Sequence, residues 1–80
     1  MTDQRSGIRV VIRIGPGAWA LSRVMHLVAC PHSGDQIVVG EDVIRCEQVR
    51  IWPHLVEVLA PHEPVTPESR PTYLAAGWKE

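Results

Sequence analysis

Two cysteines and two histidines near the middle of the chain carry side chains that could bind a metal: Cys30, His32, Cys46 and His54. The first two form a C-x-H pair, and thirteen and then seven residues separate the others. Structural zinc sites use tighter pairs, typically C-x2–4-C and H-x3–5-H, and this pattern does not provide them. We predict that Cys46 is a small core residue, that Cys30 is partly buried at a strand end, and that no metal or cofactor is bound.

The cysteines and their neighbours also lack the pattern of a catalytic set. A reactive thiol needs a cationic neighbour or a helix N-terminus. Only His32 and Arg45 lie close in sequence to a cysteine, and the chain has no C-x-x-C pair. A small domain buries only about 60% of its unfolded surface, which leaves little room for a cleft and its supporting residues. We predict that the protein is not an enzyme and has no catalytic residues.

The first half of the chain has the alternation typical of β-strands. The alternation in Ile8–Ile14 indicates a half-buried strand, with Ile8, Val10, Ile12 and Ile14 inward and Arg9, Val11 and Arg13 outward. Residues 18–30 alternate less regularly, so we predict one bent strand with a bulge. A helix over residues 18–28 is the competing interpretation, but one face of it would hold mostly polar side chains.

Turns and short strands follow in the second half. Pro31 and Gly34-Asp35 indicate a turn that leads into a short strand, Gln36–Val39, and Gly40 supplies the next turn. In residues 43–52 the alternation slips by one residue, which predicts a strand with a bulge near Glu47-Gln48. Residues 55–60 form the last predicted strand, with Val56 and Val58 facing inward.

Residues 61–71 contain four prolines, so this segment cannot enter a sheet interior or form one helix. We predict an extended connector there. A short C-terminal helix follows, with Pro71 in its first turn and Gly77 at its end. Trp78 then lies where it could pack back onto the helix or the strands.

The run PHSGDQIVVGEDVIRCEQV resembles the centre of many SH3-like barrels, with its two turns, short strand and interrupted strand. The final Gly77-Trp78 step is similar to the end of small bacterial and phage proteins of this build. The resemblance covers residues 8–60 at the level of the fold. It implies an interaction scaffold, because such barrels commonly bind peptides, nucleic acid or neighbouring subunits.

These elements predict an all-β protein, a five-stranded small barrel with a proline-rich arm and a short C-terminal helix. The resemblance implies that the barrel is SH3-like. Residues 1–60 would form the barrel. Residues 61–80 would supply the connector and the helix within the same domain.

The charge and the polar start of the chain limit its setting. The formal net charge is −1, whereas dedicated nucleic-acid binders are usually strongly basic. The first residues, MTDQRSG, lack the apolar core of a secretory signal, and no apolar run reaches the roughly 20 residues that span a membrane. We expect a cytoplasmic protein that does not enter a membrane, with two reduced cysteines.

The function that these features favour is a non-enzymatic protein-interaction or assembly module, with an association with phage as a further expectation. Its partner would be another protein or a second copy of the chain, and the proline-rich arm could take part. The candidate contact residues are Trp52, Arg50, His54, Arg45, Trp78 and Tyr73. The tryptophans are equally candidates for the core.

The alternative function is weak nucleic-acid binding by a barrel face. That face would combine Trp52 or Trp19 with a set of outward-facing arginines, namely Arg9, Arg13, Arg45 and Arg50.

Overall fold

A computed structural model describes residues 7–80 of the chain, and strands dominate it. The elements are β1 (Ile8–Ile14), β2 (Leu21–Leu27), β3 (Gln36–Val39), β4 (Asp42–Arg45), β5 (Gln48–Ile51), β6 (Val56–Ala60) and α1 (Arg70–Ala75), with a 3-10 turn at Gly17–Trp19. The described chain is therefore mainly β, as the sequence predicts, with two sheets and one short helix. None of its helices is long and apolar enough to cross a membrane.

Strand β1 has the bounds and the orientation that its alternation predicts. The side chains of Val10, Ile12 and Ile14 are completely buried, whereas Arg9 and Arg13 are exposed. One face of the strand therefore contributes to the core and the other faces solvent.

Four strands form the larger sheet in the order β2-β1-β6-β5. β1 pairs antiparallel with β2 and parallel with β6, and β5 closes the row as an antiparallel neighbour of β6. β3 and β4 form a separate hairpin sheet whose turn is Gly40-Glu41. Gly40 has a φ of +63°, a left-handed conformation that favours glycine, and this confirms its predicted place in the turn.

The structure has six strands in its described part, and not five, because the predicted strand over residues 43–52 is divided. β4 belongs to the hairpin sheet and β5 to the larger sheet. The Cys46 N–H donates to the Asp35 carbonyl oxygen at 2.8 Å, and the next amide, Glu47 N–H, donates to the Leu59 carbonyl oxygen at 3.1 Å. The slip in alternation therefore marks a change of sheet at this point, where we had predicted a bulge.

The predicted strand over residues 18–30 is confirmed only in its middle, because Ala18 and Trp19 belong to the 3-10 turn and residues 28–30 lie beyond the strand. β2 covers Leu21–Leu27 and pairs with β1 residue by residue, from Ile8 opposite Leu27 to Ile14 opposite Leu21. This continuous register leaves no extra residue, so the predicted bulge is absent from β2. The alternation in the sequence is imperfect because Val24 is exposed on the outer face of the sheet and Val28 lies beyond the strand.

One core joins both sheets and the C-terminal segment. Its members from the hairpin sheet include Ile37 and Ile44, and its members from the C-terminal segment are Val65 and Trp78. The helix has Pro71 in its first turn, as predicted, and Trp78 packs back beneath it with only 1% of its surface exposed. A hydrogen-bonded bridge between Lys79 and Ser22 attaches the end of the chain to the outer edge of β2.

Candidate functional site

An open groove of about 630 Å³ lies at the end of the larger sheet where β1 and β6 begin and β2 and β5 end. We call it the sheet-end groove. The residues that define its chemistry are Ile8, Arg9, His26, Trp52, His54 and Leu55. The groove is thus built by four strand ends, and each contributes one or two side chains.

The strand register places four of these residues in one row across the sheet. Arg9 lies directly opposite His26 in the β1–β2 pair. Continuing the β1–β6 register by one residue from Val10 and Val56 places Leu55 beside Arg9. On the far side of β6, the Trp52 N–H donates to the Leu55 carbonyl oxygen at 2.8 Å. The row therefore runs His26, Arg9, Leu55, Trp52.

The β5–β6 end of the groove carries exposed apolar side chains. Ile51 is 74% exposed and Trp52 is 48% exposed, and the Pro53-His54 turn projects beside them. Large apolar groups gain free energy when they leave water, at roughly 25 cal/mol per Å² of surface buried. This rim can therefore contribute binding energy to a ligand that covers it.

The β1–β2 end of the groove is cationic. Arg9 and His26 provide hydrogen-bond donors there, and His54 adds an imidazole at the β5–β6 end. None of the described residues that line the groove is acidic. On the same face of the sheet, Glu57 lies one row away and accepts a hydrogen bond from the Arg13 Nε at 2.8 Å. The groove thus favours an anionic or neutral ligand.

The structure brings together two of the six predicted contact residues, Trp52 and His54. Arg50 is exposed on the same sheet, opposite Glu57 in the β5–β6 register. Arg45 is also exposed, but it belongs to β4 in the hairpin sheet and lies near Glu47, away from the groove.

The two predicted contact residues at the C-terminal end have structural environments. Trp78 is buried in the core, so its side chain offers no surface to a partner, and we remove it from the candidate surface. Tyr73 is half-buried against the core, and its ring meets that of Trp78 edge-on at 6.4 Å between centroids. Its hydroxyl donates to a Glu63 carboxylate oxygen at 3.3 Å. Both aromatic residues therefore attach the C-terminal segment to the strands.

The four candidate metal ligands do not form one site. Within residues 7–80, no three His, Cys, Asp or Glu side chains gather in a way that could hold a metal ion. Cys30 and His54 line the sheet-end groove, whereas Cys46 is fully buried in the core. Burial, followed by the charge of Asp35, raises the pKa of the Cys46 thiol, which disfavours the thiolate that a metal or a nucleophilic reaction requires.

Two glutamates at the proline-rich arm, Glu47 beside it and Glu63 within it, have pKa values shifted in opposite directions. Glu47 accepts hydrogen bonds from the His62 backbone and the His62 ring, and chiefly the ring contact lowers the pKa of the Glu47 carboxyl. Glu63 is partly buried, and this burial raises the pKa of its carboxyl although Tyr73 donates a hydrogen bond to it. Burial, followed by the charge of Glu63, also raises the pKa of Tyr73.

We expect Glu63→Gln to stabilise the protein at pH 7 by a small amount, within about 1 kcal/mol. Because the folded-state pKa of Glu63 is raised, its favourable contribution exists below the ordinary Glu pKa and is lost as the pH rises through the folded value. Glutamine keeps an acceptor for Tyr73 and carries no charge. Urea unfolding at pH 7 and at pH 4 measures the effect, and the gain should shrink at the lower pH.

Glu47→Gln is the matched control, and it should have the opposite sign. The pKa of Glu47 is lowered, so its contribution is present above the ordinary Glu pKa and is lost as the pH falls through the folded value. This variant should therefore be less stable than the parent at pH 7. Equal effects of the two substitutions would contradict the assignment of the two environments.

Several residues of the groove were not singled out as contact residues by the sequence. Ile51 and Leu55 were assigned only to strands, and His26 to the bent strand. Arg9 was predicted only for the nucleic-acid alternative. Ile51 and Leu55 could have been found from their place at strand ends next to the Pro53-His54 turn. That Arg9 lies beside Leu55 depends on the parallel β1–β6 pairing.

The fold and the groove define a mainly-β chain whose two sheets share one core and whose larger sheet ends in an apolar and cationic groove. Comparison with protein-family models, with curated proteins and with solved structures gave no match to this chain. The groove is therefore the feature of the molecule that bears on its function.

Proposed function

We propose that the protein is a non-enzymatic interaction module that holds a segment of a partner protein in the sheet-end groove. The observation that carries this proposal is the exposure of Ile51 and Trp52 at the rim of a groove of about 630 Å³. Tryptophan and arginine are among the residue types most enriched at binding hot spots, and Trp52 and Arg9 both lie on the groove floor. The segment would cover the apolar rim.

A second candidate function, weak nucleic-acid binding, is favoured by one specific observation. Arg9, Arg13 and Arg50 lie on the same outer face of the larger sheet. Two features count against it. Glu57 forms an ion pair with Arg13 and lies opposite Arg50. Trp52 is the one tryptophan among the described residues that line the groove. Anisotropy of labelled oligonucleotides at two salt concentrations tests it, because phosphate binding weakens steeply as salt rises.

We also propose that the two sheets are the halves of an SH3-like barrel in a cytoplasmic protein, with an association with phage. The shared core and the change of sheet between Cys46 and Glu47 support the first part. The two free thiols support a reducing compartment.

We expect Ile51→Ser to abolish capture of the partner by the tagged protein from its native host, because the substitution removes the most exposed apolar side chain of the groove rim. Val38→Ser is the matched control, since Val38 is 65% exposed but lies on the hairpin sheet outside the groove. Quantitative mass spectrometry of the captured proteins gives the readout.

The proposal requires one set of proteins that is retained by the parent and by Val38→Ser and is lost with Ile51→Ser. If both variants keep or both lose the same proteins, the groove is not the contact surface. Light scattering across a range of concentrations shows whether a second copy of the chain is the partner.

A further inference from the structure

The row of four residues on the groove floor has two chemically different halves. Arg9 and His26 form the half that supplies hydrogen-bond donors and, at Arg9, a positive charge, and Leu55 and Trp52 form the apolar half. Neighbouring strands lie about 4.8 Å apart, so the Arg9 position and the Trp52 position, two strands away, are separated by about 10 Å. A ligand that uses both halves must therefore present an anion and an apolar group at about this distance.

We propose that the groove recognises an extended acidic peptide in which an Asp or Glu stands three positions from a large apolar residue. This inference rests on the proposed function and names the class of segment that the groove selects. In the extended polyproline II conformation a chain advances about 3.1 Å per residue with three residues per turn, so side chains three positions apart lie on one face and about 9 Å from each other. The peptide lies across the strands, with its carboxylate at Arg9 and His26 and its apolar side chain at Leu55 and Trp52.

Charge complementarity supports an acidic segment. A guanidinium presents a rigid fork of donors that matches a carboxylate, and an imidazole beside it supplies another donor. Arg9 and His26 are directly opposite each other in register, so one carboxylate can reach both. No acidic residue of the described groove lining competes for these donors.

The same groove is a poor match for a nucleic-acid strand. Single-stranded nucleic acids are held by a continuous basic track and by successive aromatic platforms. The groove offers one exposed aromatic ring, at Trp52, and the neighbouring row places Glu57 between Val11 and Arg50. An acidic peptide uses both halves of the row, whereas a nucleic-acid strand would meet the Glu57 carboxylate.

The test is a titration of the 15N-labelled protein with short synthetic peptides, followed by nuclear magnetic resonance. The probes are peptides of glycine, serine and threonine that carry one Glu and one Leu three positions apart, in both orders. We expect the indole N–H of Trp52 and the backbone amides of Arg9 and His26 to shift. Trp52→Phe assigns the indole signal.

Arg9→Gln should weaken this binding at least about threefold, the effect of one partly exposed ion pair. Arg45→Gln is the charge-matched control, because Arg45 is exposed on the hairpin sheet, and it should leave the affinity unchanged. The spectra of both variants show directly whether they remain folded.

Four outcomes would overturn the inference. If a peptide with Lys in place of Glu binds equally well, the groove is an apolar site without acidic selectivity, and the proposed function stands. If no peptide shifts these signals while Ile51-dependent capture persists, the motif is wrong and the proposed function again stands. If an oligonucleotide shifts Trp52 more strongly than the peptides, the ligand is nucleic acid. If dilution alone shifts the same signals, the occupant is a second copy of the chain.

Discussion

Replacement of Trp78 by alanine is expected to destabilise the protein by about 3–5 kcal/mol, the range measured for large aromatic side chains removed from cores. Trp78 is the largest fully buried side chain of the described chain, and it lies where the C-terminal segment meets the strands. A domain of this size has only about 4–12 kcal/mol of total stability, at 0.05–0.15 kcal/mol per residue. Trp78→Ala should therefore lose a large share of the total stability and unfold at a much lower urea concentration than the parent.

The Trp52→Ala variant is the matched control for this prediction. Trp52 is 48% exposed, so its removal should cost less than about 1 kcal/mol. Urea unfolding of both variants, followed by far-UV circular dichroism, measures the difference. Similar costs for the two substitutions would show that Trp78 is not the core residue that its burial indicates.

Trp78→Phe keeps an aromatic ring at this position and removes the indole N–H group. The Nε1 atom of Trp78 is buried and has no hydrogen-bond partner within residues 7–80. An unpaired buried donor destabilises the folded state, so its removal offsets part of the packing free energy that is lost with the smaller ring. We therefore expect Trp78→Phe to retain most of the stability that Trp78→Ala loses.

The strands that the sequence predicted best are those with one face in the core. In β6, and in β1 from Val10 onward, every second side chain is buried, and both strands lie in the middle of the sheet. Local alternation is enough to identify such strands. The hairpin sheet was also predictable, since Gly40 marks its turn.

The change of sheet at Cys46 and Glu47 could not be predicted from local pattern. A bulge and a change of sheet both displace the alternation by one residue. They differ only in the partners of the two amides, and those partners, Asp35 and Leu59, are distant in sequence. Local pattern also could not decide whether Trp78 is buried, because a tryptophan that follows Gly77 could lie on the surface or in the core.

Local sequence pattern predicted only part of the candidate site. Trp52 and His54 flank or occupy a turn, and local pattern is sufficient to expose them. Arg9 becomes their neighbour only through the parallel pairing of β1 with β6, which joins the two ends of the strand region. A parallel pair has no short connection that would reveal it in the sequence.

Gly15→Ala is expected to cost about 2–5 kcal/mol, because two effects combine at this position. Gly15 has a φ of +87°, which strains any residue with a Cβ. A Cβ there would lie 2.8 Å from the Cβ and Cγ2 atoms of Val65, a buried residue of the proline-rich arm. Overpacking a tight contact usually costs about 1–3 kcal/mol in addition to the strain.

Gly40→Ala isolates the contribution of the backbone. Gly40 also has a positive φ, but no atom lies within 4 Å of the place where its Cβ would be. This variant should therefore lose only about 1–2 kcal/mol, the cost of the left-handed conformation. The additional loss in Gly15→Ala measures the contact with Val65.

A double-mutant cycle tests that contact directly. In a Val65→Ala background the Cγ2 atom is absent and the Cβ atom remains, so Gly15→Ala should cost less than it does in the parent and still more than Gly40→Ala does. Chemical unfolding of the parent, both single variants and the double variant gives the coupling free energy. An equal cost of Gly15→Ala in both backgrounds would mean that the arm does not pack at this position.

The position of this contact also separates the arm from the groove. Gly15 follows the end of β1 that contains Ile14, whereas the groove lies at the other end, beside Ile8. Val65→Ala loosens the arm without altering any residue of the groove. We therefore expect its peptide-dependent shift at the Trp52 indole to equal that of the parent, and a weaker shift would show that the arm takes part in binding.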